Sequence, residues 1–397
     1  MHDGSMTRRP GASVRARLAT LVLATLGAAV ALLLAETLTR RLSIDQRLIT
    51  PSLFFQGSDV EVHRVSADGA LHYELAPGTS CECAVPGRPP YRVTIDAHGA
   101  RHPTHPLVKQ SGVYRILCVG GSTIYGGAVS DDETIPAALE RHLNAEVPDG
   151  RRYEAWNLGT SAYMLRQAAH VAETRLDEIR PDLVVVQLYN EGRRAFLIPP
   201  SYKALDYDWS ALLGDPDFFT EQFAYPSWLP VDVVEPWLRR SALARATIAL
   251  VPGFGHRRDL GWCQERDHEA ARALSRVAEA RGIPVVYFDI PAKRCGAGEA
   301  PNPHAQSLGP DSVYPGLPAS RYIDLFRPDR ELEFYRVHPP PPILDEYARL
   351  LIAELRERGI LDPGQPRTFR TSSVSRYSVT SAIRPSRKRS TKQYVLS

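Results

Sequence analysis

From residue 113 onward the chain alternates short apolar runs with stretches whose apolar residues recur three and four apart, and no other feature restricts its fold as much. Tyr114-Arg-Ile-Leu-Cys-Val119, Leu183-Val-Val-Val-Gln-Leu188 and Ile283-Pro-Val-Val-Tyr-Phe288 read as strands covered on both faces, and a shorter strand ends at Trp156-Asn157. Between them, Ile135, Leu139 and Leu143, with Pro136 suited to a first turn, predict one helix. Met164, Ala168, Val171, Ala172, Leu176 and Ile179 predict a second, and Leu274, Val277 and Ala278 a third. Leu344, Tyr347, Ala348, Leu351 and Leu355 predict the last, closed by Gly359. Strand and helix in alternation mean a parallel sheet with helices on both faces. With 43% hydrophobic and 23% charged residues, the 397-residue chain has the composition of a folded body rather than of a disordered or polytopic membrane protein.

The N-terminus departs from that composition. Residues 18–35 (LATLVLATLGAAVALLLA) are uncharged and mostly apolar, about the minimum that crosses a bilayer core as one helix. Arg8, Arg9, Arg15 and Arg17 precede the run, and Arg40, Arg41 and Arg47 come after it, so the charge bias toward a cytoplasmic N-terminus is small. The small-residue triplet Ala29-Val30-Ala31 falls inside the run rather than after it, which favours a retained signal anchor over a cleaved leader. At the other end, the last 33 residues hold eight Lys or Arg and no acid; taking that charge from the net +3 leaves −5 for the rest. A mildly acidic body argues against nucleic acid as a partner. Five cysteines without paired C-x-x-C spacing argue against a disulfide scaffold or a metal site. Cys118 reads as a buried inert thiol, Cys263 and Cys295 as a candidate disulfide, and His102 and His105 as a solvated loop pair.

These features divide the chain into a short basic segment (1–17), a membrane-spanning signal anchor (18–36) and a strand-and-turn region (37–112) with no assigned chemistry. An α/β domain (113–360) and a basic tail expected to be disordered (361–397) complete it. Residues 193–262 interrupt the alternation with Tyr202, Tyr207, Trp209, Phe218, Phe219, Phe223, Tyr225, Trp228 and Trp237, either a lid or substrate wall, or an aromatic mini-core of its own.

An open parallel sheet binds its ligand beyond the carboxyl ends of its strands. After the first strand stands Gly120-Gly-Ser-Thr123, after the second Asn157-Leu-Gly159, after the third Tyr189-Asn190, and before the last helix His338. This set suits acyl transfer: Ser122 as nucleophile, His338 as the base that a hydroxyl needs, and the Ser122 and Gly159 N–H groups with the Asn190 carboxamide as oxyanion donors.

The order Ser, Gly, Asn, His at these places resembles the SGNH/GDSL hydrolase family. Gly120-Gly-Ser-Thr-Ile-Tyr-Gly126 is similar to its first block, Asn157-Leu-Gly159 to its second, Leu188-Tyr-Asn190 to its third and Val337-His-Pro339 to its last. The likeness covers about residues 113–359, and Tyr91-Arg-Val-Thr-Ile-Asp-Ala-His-Gly-Ala-Arg101 with the anchor looks like a membrane-anchored bacterial branch. The resemblance implies a three-layer α/β/α sandwich and a serine esterase acting on an acyl ester, often acetyl. Its substrate would be an acylated small molecule, glycan or lipid of the cell envelope, and it would use no cofactor and no metal. It also implies a single-pass protein of the inner membrane with its α/β domain outside the cytoplasm.

Two departures bear on that expectation. Gly121 replaces the acid of the usual Gly-Asp-Ser, and Tyr335 stands three residues before the histidine where the family's catalytic acid lies. Glu333 ranks first as third member of the triad, ahead of Asp324 and Asp329, and a Ser-His dyad is the alternative. An O-acyltransferase using the same acyl-serine and a degenerate binding module that keeps only the cleft are the rival functions. A phosphate loop is excluded because Gly127 stands where Lys is required, and the Gly-x-Ser-x-Gly elbow is broken by Tyr163.

Overall fold

The computed structural model describes residues 14–50, 54–55, 59–85, 89–146, 151–188, 192–197, 209–289, 321–325 and 338–361. The first helix, α1 (Val14–Arg41), contains the apolar run and is long and apolar enough to cross a membrane. A short helix, α2 (Ile44–Ile49), comes next. Two antiparallel hairpins succeed it, His63–Val65 with Tyr73–Leu75 and Ser80–Cys83 with Tyr91–Thr94.

The core is a five-stranded sheet of β1 (Val113–Val119), β2 (Arg152–Asn157), β3 (Leu183–Gln187), β4 (Val285–Asp289) and β5 (Tyr322–Asp324), in the order β2-β1-β3-β4-β5 with every neighbour parallel. Because successive side chains alternate between faces, Ile116, Cys118, Val185 and Phe288 pack under α4 (Ile135–Glu146) and α9 (Pro341–Glu357). Leu117, Val119, Val184 and Tyr287 pack under α5 (Leu165–Ile179) and α8 (Gly261–Glu279). The expected three-layer α/β/α arrangement is thus present. The strand β5 has no counterpart among the sequence expectations, since three residues carry no periodicity. Strand order runs outward from β1 to β2 and then crosses back to β3, so a crevice opens between the carboxyl ends of β1 and β3.

The aromatic stretch builds a third core in which Phe218, Phe219 and Phe223 are buried with Trp209 and Phe196, joined by Leu71 and Tyr73 of the first hairpin. Below it lie α6 (Val231–Arg240) and α7 (Ala242–Ile248). The solvated reading of the histidine pair is corrected at one position: His105 is buried, 2.9 Å from the Glu140 carboxylate and against the Trp156 ring. A partner carboxylate and an aromatic wall make burial tolerable there. Cys118 and Cys263 are buried thiols, and Cys295 lies outside the described residues.

Arg115, in the middle of an otherwise apolar strand, is buried because Glu154 stands opposite it on β2 at 2.9 Å, the carbonyls of Leu107 and Ile179 accept from its Nη1 at 2.7 and 2.8 Å, and the Pro106 carbonyl accepts from its Nη2. Removing one partner of a buried pair leaves an uncompensated charge, costing about 3–5 kcal/mol. Glu154→Ala should therefore lower the unfolding midpoint strongly in thermal or urea denaturation. Asp177→Ala, which breaks the exposed pair with Arg281, should leave the midpoint nearly unchanged.

Candidate active site

Gly120-Gly121 follow β1, and the chain turns directly into α3 (Ser122–Tyr125), a single helical turn with half-buried Ser122 as its first residue. The turn closes on Ser122 itself: the N–H groups of Gly126 and Gly127 both donate to its carbonyl, at 2.9 and 2.8 Å. The loop after β2 runs alongside, with Leu158 N–H donating to Cys118 O at 2.9 Å and Thr160 N–H to Gly120 O at 3.1 Å. Between those bonds sits Gly159, so close to α3 that a Cβ there would stand 2.4 Å from the Tyr125 backbone nitrogen. Only glycine fits, which gives this position its residue type. The Gly159 N–H donates to the Asn157 side-chain oxygen at 3.1 Å, a bond for which an oxyanion would compete.

His338, just before α9, reaches the same place from the sheet face on which Ile124 of α3 also packs. Its imidazole lies against Gly127, with Nε2 and Cδ2 each 2.9 Å from where a Cβ would project. The imidazole is thus carried onto the turn whose amides bond the Ser122 carbonyl. Asn190, Glu333, Asp329 and Tyr335 lie outside the described residues. Asp324 closes β5, and its register partner is Asp289, the last residue of β4, so two acids share the carboxyl edge of the sheet. Asp289 escaped sequence reasoning although it closes a predicted strand.

A second residue missed from sequence is Arg101, which the strand-and-turn region delivers. Its backbone N–H donates to Asn157 O at 2.9 Å, pinning it beside the end of β2. Its fully buried guanidinium donates to the carbonyls of Tyr125, Gly126 and Val129 at 2.6, 2.7 and 2.6 Å and to the Asp131 carboxylate at 3.0 Å. The last carbonyls of any helix lack intrahelical partners, and in a one-turn helix those are nearly all it has. Arg101 supplies the missing donors and covers the Tyr125 ring at 4.8 Å. The region to which no chemistry was assigned therefore fixes the geometry of the Ser122 turn.

Burial pushes the Tyr125 phenol well above its ordinary range, so it stays neutral inside this turn, and burial likewise pushes up the Cys118 thiol behind it. Neither group competes with a serine as nucleophile. Among the described residues no cluster of three or more His, Cys, Asp or Glu is placed to hold a metal ion.

No family model and no curated protein matches the chain. The solved structures that it resembles include SGNH/GDSL hydrolases and esterases. One is a lipolytic protein of the G-D-S-L family from Desulfitobacterium hafniense DCB-2, at 11% identity over 61% of this chain and 99% of that one, with a TM-score of 0.31. Another is the psychrotrophic esterase EstA from Pseudoalteromonas sp., at 12% identity over 61% and 97%, TM-score 0.30. A third is a carbohydrate esterase family 2 enzyme with its carbohydrate-binding domain from Corynascus thermopiles (Myceliophthora fergusii), at 11% identity over 66% and 70%, TM-score 0.32.

The contact between Gly127 and His338 gives a sharp test. In Gly127→Ala the added methyl meets only the far end of a side chain, so the imidazole turns aside and the fold is spared. A displacement near 1 Å at a catalytic group costs about a hundredfold in rate. Ester turnover should fall by about that factor while the unfolding midpoint stays within a few degrees of wild type.

Proposed function

We propose that this chain is a membrane-anchored serine ester hydrolase of SGNH type that works through an acyl-serine intermediate on an acyl ester of a cell-envelope glycan or lipid. The observation that carries this reading is the His338 imidazole seated on Gly127, in the hydrogen-bonded turn that Ser122 opens. The Ser122 hydroxyl attacks the ester carbonyl while His338 Nε2 takes its proton. The oxyanion so formed is held by N–H donors from Ser122 and Gly159 and by the Asn190 carboxamide. Collapse expels the alcohol, which leaves with the proton from His338. Water, activated by the same imidazole, then attacks the acyl-serine and releases the acid. Glu333 is the first candidate to orient the imidazole, and Asp289 joins Asp324 and Asp329 behind it.

Retention of α1 as an anchor is supported by the contacts of its last two turns. The Glu36 carboxylate caps the start of α7, accepting from the Ser241 hydroxyl and Leu243 N–H at 2.8 Å and from Ala242 N–H at 3.0 Å, and Thr39 is buried. The end of α1 is thus built into the folded body, and the apolar run is continuous with it. The N-terminal residues then lie in the cytoplasm and the α/β domain outside it, at the inner membrane.

Turnover of a p-nitrophenyl ester by the full chain in detergent tests the chemistry. Ser122→Ala should lower it by at least about a thousandfold without a stability change, since removal of a triad nucleophile leaves only binding and the oxyanion donors. Equal activity in the variant overturns the esterase reading. Among the acids, Glu333→Gln should cost more than Asp324→Asn. If Glu333, Asp289, Asp324 and Asp329 can each be neutralised for less than about tenfold, some 1.4 kcal/mol of barrier, the site is a dyad.

A further inference from the structure

We infer that the insertion docks on the bilayer itself: Trp228, Val233, Trp237 and Leu250 form an interfacial membrane surface beside the end of α1. The inference rests on the anchor reading of α1 and adds a second contact between the protein and lipid. Three helices gather around the point where α1 leaves its apolar run. α7 is held by the Glu36 cap; α2 is held to α7 by the buried pair Asp45–Arg245 at 2.7 Å; and Arg245 donates to Leu238 O of α6 at 2.6 Å. Arg40, one turn after Glu36, donates to the carbonyl of Arg240 at the end of α6.

These bonds set a depth. If residues 18–35 fill the hydrocarbon core, Glu36 and Arg40 lie at its boundary within one turn, about 6 Å of rise. Whatever they touch lies at the headgroup level. Trp237 O accepts from Ser241 N–H at 2.8 Å, so Trp237 stands one turn from the residue that Glu36 grips. Yet Trp237 is 66% exposed and Trp228 68%, and Val233 and Leu250 are exposed with them. On α6, Val233, Pro236, Trp237 and Arg240 share one outward face, opposite buried Leu238. Leu42 and Leu48, beside α1, are exposed as well. Water is a poor solvent for such exposed apolar side chains, whereas the interface is where tryptophan rings are favoured. Exposed Arg40, Arg41, Arg47 and Arg240 rim it with positive charge, which complements lipid phosphates rather than a protein core.

The test uses the full chain reconstituted in phosphatidylcholine vesicles, with and without bromine on the acyl-chain carbons nearest the headgroups. Two of the five tryptophans belong to the proposed surface. Brominated lipid should therefore remove roughly two-fifths of the emission, and the W228F/W237F double variant should lose most of that quenching. Carbonate extraction of the same vesicles separates the two readings. A chain that resists carbonate but shows no quenching, or equal quenching in the double variant, overturns the docking surface and leaves the anchor standing. A chain released by carbonate overturns the anchor, and the docking surface with it.

Discussion

The guanidinium of Arg101 holds together two parts of the molecule that sequence distance separates. Three carbonyls around the Ser122 turn and one carboxylate converge on it, at a fully buried site. Without it, the carbonyls of Tyr125, Gly126 and Val129 at the end of a one-turn helix lose their shortest donors, and little else keeps the turn in a single geometry. The same arginine is tied through its backbone to the end of β2, whose loop presents Gly159. One residue of the N-terminal region thus registers the Ser122 turn against the second strand loop. A charged hydrogen bond in a dry setting is stronger than a neutral one, and several sharing one planar group also fix its direction. Preorganisation of this kind is what an acyl-transfer site needs, because donors that are already aimed require no rearrangement as charge develops.

The sheet supplies the rest. Parallel strands deliver their carboxyl ends to one edge, and the order β2-β1-β3 opens the crevice where the Ser122 turn and the Gly159 loop meet. Packing two helices on each face leaves the strands no exposed side, which explains the apolar runs and the cost of the one buried ion pair described among them. His338 arrives just before α9, and its ring fits because position 127 has no side chain.

How much of this was legible in the sequence depends on the range of the forces involved. Strands buried on both faces announce themselves as apolar runs, and β1, β3 and β4 were readable for that reason. Glycines after strands were readable as turns, yet nothing local distinguished Gly127, whose requirement comes from an imidazole more than two hundred residues away. Arg101 was read only as the end of a phrase that resembles a family branch and had no role of its own, because its acceptors are carbonyls and carbonyls carry no sequence signature. Asp289 was hidden by the missing fifth strand: its neighbour is an acid only in the register that β5 creates. The aromatic stretch was visible as a cluster, but only its packing separates buried Phe218, Phe219 and Phe223 from exposed Trp228 and Trp237.

The proposed reaction requires that the Ser122 turn, braced by Arg101 and faced by His338, make a nucleophile of a hydroxyl that would otherwise be inert. Covalent labelling of the full chain by a fluorophosphonate, read by mass spectrometry of the peptides, measures that nucleophilicity without knowledge of the natural ester. An adduct on Ser122 is expected in the wild type, with its near disappearance in His338→Ala. An unlabelled wild-type Ser122, or labelling that persists without the imidazole, would contradict that requirement.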